Sequence, residues 1–430
     1  MLESGDQMIG SSSAVNVLER LAAPDLRGNP YPLLHWLREN EPVHLTEAGF
    51  FLLSRHADVQ WALGSTGDAL VVPDRADLAR QFPGAAGHPV LEIALDGFAA
   101  KSRPGYAALR RMMSRDLARA RVAGVGDSIR IKSARLIDGV AERLLDGEAI
   151  DFHQEVSRPL TLGVFADLFG VQREHRDSIA ADVVEVAAAL EAVTEDALNS
   201  ADAASERVEA YFRELIADRR RSPRDDLMTA LVATHDEDVE RQDDRLILGL
   251  FWVMWMTGYD SSAAGLDRGL QAILDHPDQV HWLRGDDDRT AAFVEEVLRY
   301  DGVILFTPIP RVATRDIEFG GHMLPAGSTV RMVLAAANRD PSVFPDPDRF
   351  DPSRDNKATL SMGYGMYYCN GAALVRAEMS IVLAMIHERF PDLVPAGDAV
   401  WTEAIGTANG IRGVDHLRIR RGTDRATERR

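Results

Sequence analysis

The sequence predicts a mainly α fold with small β-sheets (α+β), built as one large domain. Three observations carry this. From residue 122 to 240 apolar side chains recur at helical spacing in long segments. The run LILGLFWVMWM at 246–256 continues as one helical stretch to about Asp275 and is the most hydrophobic in the chain. A helix apolar on nearly all sides belongs at the centre of a large domain. The strand-like patterns, by contrast, are short and lie beside turn residues, at 42–45, 49–53, 317–319 and 329–334.

Composition narrows the function classes. The 430 residues are 46% hydrophobic, enough for a sizeable core, and carry a formal net charge of −19. A nucleic-acid binder needs a basic footprint, so no nucleic-acid partner is expected. Cys369 is the single cysteine, so no internal disulfide can form and a reducing interior is the natural setting. The opening MLESGDQMIGSSSAV lacks a basic region followed by an apolar run of signal length, and the apolar stretch near residue 250 is too short to span a bilayer. The expectation is a cytoplasmic monomer without stable membrane insertion.

Taken in order, residues 1–15 are polar and expected to be a flexible N-terminal segment. Residues 31–38 (YPLLHWLR) read as a short helix with Pro32 in its first turn and Leu33, Leu34 and Leu37 inward. Residues 42–45 and 49–53 alternate as a hairpin. Residues 64–103 are irregular, which is long for a connection unless it is functional. Leu91, Ile93, Leu95 and Phe98 are candidate pocket residues there. Residues 106–117 (YAALRRMMSRDL) form a helix with Arg110 one turn after Tyr106. Helical segments follow at 127–145, 157–169, 174–192 and 203–221, with a turn and short strand at 147–152.

Within the central hydrophobic stretch, Thr257, Gly258, Tyr259, Asp260 and Ser261 need a reason to be there. The plain one is a bent helix, because Ser261 can hydrogen-bond back to the Thr257 carbonyl beside Gly258. Residues 290–300 (TAAFVEEVLRY) place Glu296 and Arg299 on one helical face, with Glu295 read as an exposed neighbour. In the connector at 301–310, Val303, Ile304, Leu305 and Phe306 are expected to line part of a pocket. Residues 402–411 are expected to add a loop tip to it, and residues 422–430 to be a flexible charged tail.

The stretch MGYGMYYCNGAALVR at 362–376 sets Cys369 among Gly363, Gly365 and Gly371. A helical stripe of Val375, Met379, Val382 and Ile386 begins just after it. A thiolate at a helix N-terminus is favoured by the helix field and free N–H groups. A single soft ligand on a shaped loop suits an axial position on haem iron. A buried structural cysteine beside a Gly-rich turn fits these residues equally well.

The stretch resembles the haem-ligand loop of the cytochrome P450 family, closest to its soluble bacterial members. Met362, Gly363, Gly365, Cys369 and Gly371 fall on the family's places, and the likeness covers most of the chain, most weakly residues 1–100. It implies a P450-like fold enclosing haem b, residues 16–421 as one haem-thiolate catalytic domain, and Cys369 as the iron ligand. It implies haem-propionate contacts from Tyr106, Arg110, Arg311 and Tyr367. It also implies a proton relay of Asp260 and Ser261 with Thr257 over the haem, and a structural network of Glu296 and Arg299 with Arg349 as third member. The sequence departs from the family at five places. Met362 replaces the usual phenylalanine, Tyr106 and Tyr367 replace histidines (or arginine at 367), Ser261 replaces threonine, and Thr257 replaces a smaller residue. A phenol is neutral near pH 7 and lends a propionate no positive charge, which leaves more to Arg110.

The activity implied is that of a haem-thiolate monooxygenase, hydroxylating or epoxidising a medium-sized secondary metabolite, as in antibiotic biosynthesis. The substrate would be free or carrier-bound. Electrons would come from a ferredoxin and ferredoxin reductase or an equivalent donor, since no reductase sequence is fused. Leu91, Leu95, Tyr259, Val303 and Leu305 are the expected substrate-pocket residues. Aryl coupling or desaturation on the same centre is the alternative, and a non-catalytic haem-binding sensor or pathway-interaction protein is a third reading.

Overall fold

A computed structural model of the protein describes residues 16–65, 69–77, 87–92, 95, 107, 110–111, 113–114, 125–192, 194–237, 244–402 and 410–422. The predicted central helix spans Arg245–Asp275. Phe251, Trp252, Trp255, Leu266 and Leu270 on it are all buried. It is buried because aromatic side chains close round its first half. Phe165 meets Trp255 at 5.3 Å between ring centroids, Phe169 meets Phe251 at 5.2 Å, and Phe212 stacks on Phe251 at 5.1 Å. Such contacts add about 0.5–1.5 kcal/mol each beyond the area they bury.

The surrounding helices are Val125–Leu145, Arg158–Leu168, Arg176–Ala192, Glu195–Arg221, Asp287–Tyr300 and Ala372–Arg389. The last, which follows Cys369, is called the cysteine helix below. Glu195–Arg221 begins well before the expected 203, because Glu195 and Asp196 suit the positive end of the helix and Leu198 and Ala201 are buried. Two further elements escaped the pattern reading. Helix Leu227–Asp236 starts where the Asp226 carboxylate accepts the Thr229 N–H at 2.8 Å. A π-helical turn, His153–Ser157, leads directly into Arg158–Leu168.

The main sheet has five short strands in the order Val43–Leu45, Phe51–Leu53, Thr329–Met332, Arg311–Ala313 and Leu70–Val71. Phe51–Leu53 pairs with Thr329–Met332 in parallel, Phe51 opposite Val330, and the other pairings are antiparallel. The expected hairpin at 42–53 is its edge. Strand Arg311–Ala313 was not foreseen, and it fixes Arg311 opposite Val330.

A buried ionic cluster ties distant segments to the central helix. Asp301 accepts Arg412 Nη1 at 2.5 Å and the Tyr31 hydroxyl at 2.9 Å, with Arg268 Nη1 at 3.3 Å. Burial alone would raise the Asp301 pKa, but the charges of Arg412 and Arg268 outweigh it and hold the carboxylate well below its usual range. Arg412 also donates to the carbonyls of Arg27 and Gly28, which anchors the first described segment.

Candidate active site

The cysteine loop is shaped by two glycines. Gly363 and Gly365 have φ of +77° and +66°, where a Cβ is strained. A side chain at Gly363 would also lie 3.3 Å from the Tyr367 carbonyl. The Cys369 N–H donates to the Met362 carbonyl at 2.7 Å, closing the loop, and the cysteine helix starts two residues later at its N-cap, Gly371. Cys369 forms no disulfide and is exposed. Met362 packs half-buried against the core formed by the cysteine helix.

The central and cysteine helices make a wedge. At its closed end a Cβ on Gly269 would lie 2.4 Å from Leu383, so the helices touch at backbone distance there. One turn back, Gly265 stands 3.5 Å from Met379 and 3.8 Å from Val375 by the same measure. Another turn back, Ser262 still reaches the cysteine helix through Glu378, but the stripe itself carries side chains in place of glycine. Ser261, Thr257 and Val253, spaced by four on that same stripe, are half-buried, as are Met254, Gly258 and Asp260 near them, on a helix otherwise buried from Leu246 to Leu270. The wedge therefore opens over the start of the cysteine helix, and its central-helix wall carries two hydroxyls and, beside them, Asp260. Ser261 donates to the Thr257 carbonyl at 2.6 Å, and Thr257 to the Val253 carbonyl at 2.7 Å. The first of these is the back-bond the sequence suggested for Ser261.

Arg311 is 3% exposed, with Nη1 on the Pro310 carbonyl at 3.3 Å. Its guanidinium lies 4.7 Å from the Tyr367 ring centre, and its Nε has no hydrogen-bond partner. Burial lowers its pKa, and among the described residues no carboxylate pairs with it. A buried, underbonded cation beside the cysteine loop is costly unless an anion joins it. This fits a haem propionate, and the residues present fit the group. Arg110 donates to Asn370 Oδ1 and to the Tyr368 carbonyl, both at 2.7 Å, and so grips the loop around Cys369. Replacing Arg311 with Gln is expected to weaken haem retention by the worth of a charged hydrogen bond, about 1.5–3 kcal/mol, while sparing the haem-free protein, which loses an unpaired buried charge. Transfer of haem to a competing apoprotein, with urea melts of the haem-free variant, checks both halves.

Beneath the loop, Glu296 and Arg299 are fully buried and joined by two hydrogen bonds of 2.7 Å. Arg299 also donates to the carbonyls of Asn338 at 3.0 Å, Pro347 at 2.9 Å and Arg349 at 3.3 Å. The expected third member is corrected here. Arg349 contributes only its carbonyl, while its side chain is exposed; the third guanidinium is that of Arg354, 3.8 Å from Glu296 Oε1. The arginine nearer the glutamate in sequence sits on the outer side of the 344–352 turn. Glu295 is not an idle neighbour either. It pairs with Arg376 of the cysteine helix, which also donates to the Tyr368 hydroxyl at 2.9 Å. Adjacent residues on a helix point about 100° apart, so one carboxylate serves Arg299 and the other the cysteine helix.

The expected pocket residues fall mainly in the core. Leu91, Leu95 and Tyr259 are at most 2% exposed and belong to the cluster around Phe165 and Trp252. Leu305 is fully buried against Leu33, Leu34 and Leu37, with its N–H on the Gly410 carbonyl at 2.8 Å. Such side chains fill the core and do not wall an open chamber. Val303 is also buried, its carbonyl accepting the Arg412 N–H at 2.8 Å. Tyr106, Ile93, Phe98 and most of 402–411 lie outside the described residues.

One acid was missed by pattern reading. Glu378, on the cysteine helix, is 1% exposed, bonded to Ser262 of the central helix, and its Oε2 has no partner. Burial, only partly offset by Ser262, pushes its pKa from the ordinary 4.5 up to about 8. The folded protein therefore holds a proton there that the unfolded chain loses between those two values. Stability therefore falls by about 1.4 kcal/mol per pH unit as pH rises through that window and levels off above it. Replacing Glu378 with Gln is expected to flatten the dependence, so that the variant gains relative to the parent from pH 5 to pH 8, as denaturant midpoints at each pH will show.

Comparison with known proteins agrees with this geometry. The cytochrome P450 family model matches residues 179–409. Cytochrome P450 BJ-3 of Bradyrhizobium diazoefficiens is 43% identical over 88% of this chain and 90% of its own. The 6-deoxyerythronolide B hydroxylase of Saccharopolyspora erythraea is 32% identical over 79% of this chain and 82% of its own. The crystal structure of CalO2 superposes with a TM-score of 0.82 at 26% identity, covering 94% of this chain and 98% of that one. A fold of mostly helices with small sheets and an open wedge above a loop-borne cysteine thus has its family: the chain belongs to the cytochrome P450s. It is a P450 monooxygenase, an oxidoreductase with a haem-iron cofactor. Among the described residues no helix is long and apolar enough to cross a membrane.

Proposed function

We propose that this P450 hydroxylates or epoxidises a medium-sized organic secondary metabolite, free or carrier-bound. It would use haem b, dioxygen and two electrons from a ferredoxin-type partner. The observation that supports it best is the half-open stripe of Val253, Thr257 and Ser261, with Asp260 beside it, over the N-terminal end of the cysteine helix. The name of the Saccharopolyspora relative, a hydroxylase of 6-deoxyerythronolide B, supports the substrate class.

In this reading Cys369 holds the iron, and Arg311 neutralises a propionate. When bound, the haem supplies the oxygen-activating chemistry, with the thiolate donating electron density to it. The chain's own residues govern protons and access. The Ser261 hydroxyl, now parked on the Thr257 carbonyl, both donates and accepts, so it can turn to pass a proton into the wedge. Asp260, next in the chain, is the source that refills it. Burial pushes its carboxyl pKa up, against the pull of Arg158, His153 and Tyr259, which brings proton exchange closer to neutral pH. Thr257 stands one turn nearer the mouth and narrows the wedge.

The test compares Ser261→Ala and Asp260→Asn with the parent, scoring product per electron consumed and substrate affinity by spin-state titration. Both variants are expected to bind substrate normally and to form about 100-fold less product per electron, the lower end for loss of a positioned proton donor. Unchanged coupling removes the relay. Mass analysis of the product separates oxygen insertion from the loss of hydrogens that coupling or desaturation gives.

A further inference from the structure

Two turns beyond Asp260, on the same face of the central helix, lies Asp267. It is 2% exposed and accepts His153 Nδ1 at 2.7 Å and the Ser157 hydroxyl at 2.7 Å. Both donors belong to the π-helical turn His153–Ser157, in which the Arg158 N–H reaches back to the His153 carbonyl. Turns widened in this way recur at functional sites. The following helix then runs antiparallel along the central helix: Ser157 stands at Asp267, and Phe165 lies on Gly258, where a Cβ would be 2.3 Å from its ring. Arg158, between them, interacts with Tyr259 and with Asp260. One ledge therefore presents Asp260 with a permanent cation, Arg158, and a titratable one, His153.

His153 faces Asp267, Asp151 and Asp260. Burial draws its pKa down, but the hydrogen bond and charge of Asp267, then Asp151 and Asp260, outweigh it and the imidazole is shifted upward. Asp260 faces Arg158, His153 and the Tyr259 hydroxyl. Asp267 faces His153, Ser157 and Arg268. Asp151 is shared with His416, whose Nδ1 lies at 2.5 Å. His153 keeps 12% of its side chain exposed, so it reaches water where Asp267, at 3%, does not.

We propose that His153, anchored by Asp267 and Ser157, is a positioning residue for Asp260, forming with Arg158 the charged ledge that governs when this acid gives up and regains its proton. The proposal rests on the relay reading of Asp260. A histidine that merely ties two helices together would respond to Asp267 and not to Asp260. Coupling between the two sites must instead be reciprocal: Asp260 favours the charged imidazole as much as the charged imidazole favours ionised Asp260.

The experiment follows the His153 imidazole by NMR through a pH titration of the reduced, carbon-monoxide-bound holoenzyme, assigned by its loss in His153→Gln. Asp260→Asn is expected to shift the His153 pKa down, and Asp267→Asn to shift it further. A titration moved by Asp267→Asn but not by Asp260→Asn overturns the proposal. The second readout is the pH profile of product formed per electron. His153→Gln is expected to displace its alkaline limb to higher pH, because Asp260 loses a cation that kept it ionised and so stays protonated further up the scale, and His153→Lys is expected to move it back toward the parent. Equal profiles for Gln and Lys also overturn the proposal. If Asp260→Asn shifts the His153 titration but leaves coupling unchanged, the relay reading fails and His153 positions an acid without a part in turnover, which overturns the proposal as stated. If coupling collapses while the titration stands still, the relay holds and the ledge fails.

Discussion

Cys369→Ser protein, reduced and exposed to carbon monoxide, is expected to lose the red-shifted absorption band of a haem-thiolate and to form no detectable product. The reason lies in the loop. Gly363 and Gly365 hold left-handed backbone, the Cys369 N–H closes on the Met362 carbonyl, and Arg110 clamps Asn370 and the Tyr368 carbonyl on either side. No other cysteine exists in the chain to substitute. Among the described residues no group of three or more His, Cys, Asp or Glu is placed to hold a metal ion. A serine hydroxyl fits the same space, which keeps the fold intact, but it is a harder and far less acidic ligand. A variant that retained the red-shifted band would remove Cys369 as the ligand.

The sequence carried the parts of this site that depend on local pattern. The central helix was legible because it is apolar on nearly all sides, and the cysteine loop because three glycines surround one cysteine. Glu296 and Arg299 were legible as neighbours on one helical face, and their buried network only through the family resemblance. What remained hidden depends on packing between segments remote in sequence. Arg349 lies within the 344–352 turn and Arg354 just after it, and only the turn's geometry decides which one points at Glu296. Leu305 is apolar and adjacent to the site in sequence, yet the N-terminal helix fills the space beside it. Glu378 looks like any helical glutamate until the central helix is laid over it. His153 gains its meaning only from Asp267, which the π-helical turn brings into reach.

Breaking the Glu296–Arg299 pair is expected to be among the most damaging single changes outside the loop. Glu296→Gln or Glu296→Ala leaves Arg299, fully buried, without its counter-charge, and removal of one partner of a buried pair costs about 3–5 kcal/mol. Removing both is often tolerated elsewhere, since a buried pair spends much of its attraction on desolvation. Here the double change Glu296→Met with Arg299→Leu is expected to remain destabilised. Arg299 also satisfies the carbonyls of Asn338, Pro347 and Arg349, and Glu296 Oε1 accepts the Asp351 N–H at 2.8 Å. Apolar replacements leave these backbone groups without partners, at about 1–3 kcal/mol for each one that water cannot reach. The segment they hold, 338–351, leads into the cysteine loop, where Asn338 Oδ1 accepts the Leu360 N–H at 2.7 Å and its amide donates to Ser361 Oγ at 2.7 Å. Loss of the pair should therefore loosen Cys369 as well as the fold, seen as faster haem release at denaturant concentrations below the unfolding transition. Denaturant melts of the haem-free and haem-loaded forms separate the two effects. A double variant as stable as the parent, with normal haem release, would show that the pair holds nothing beyond itself.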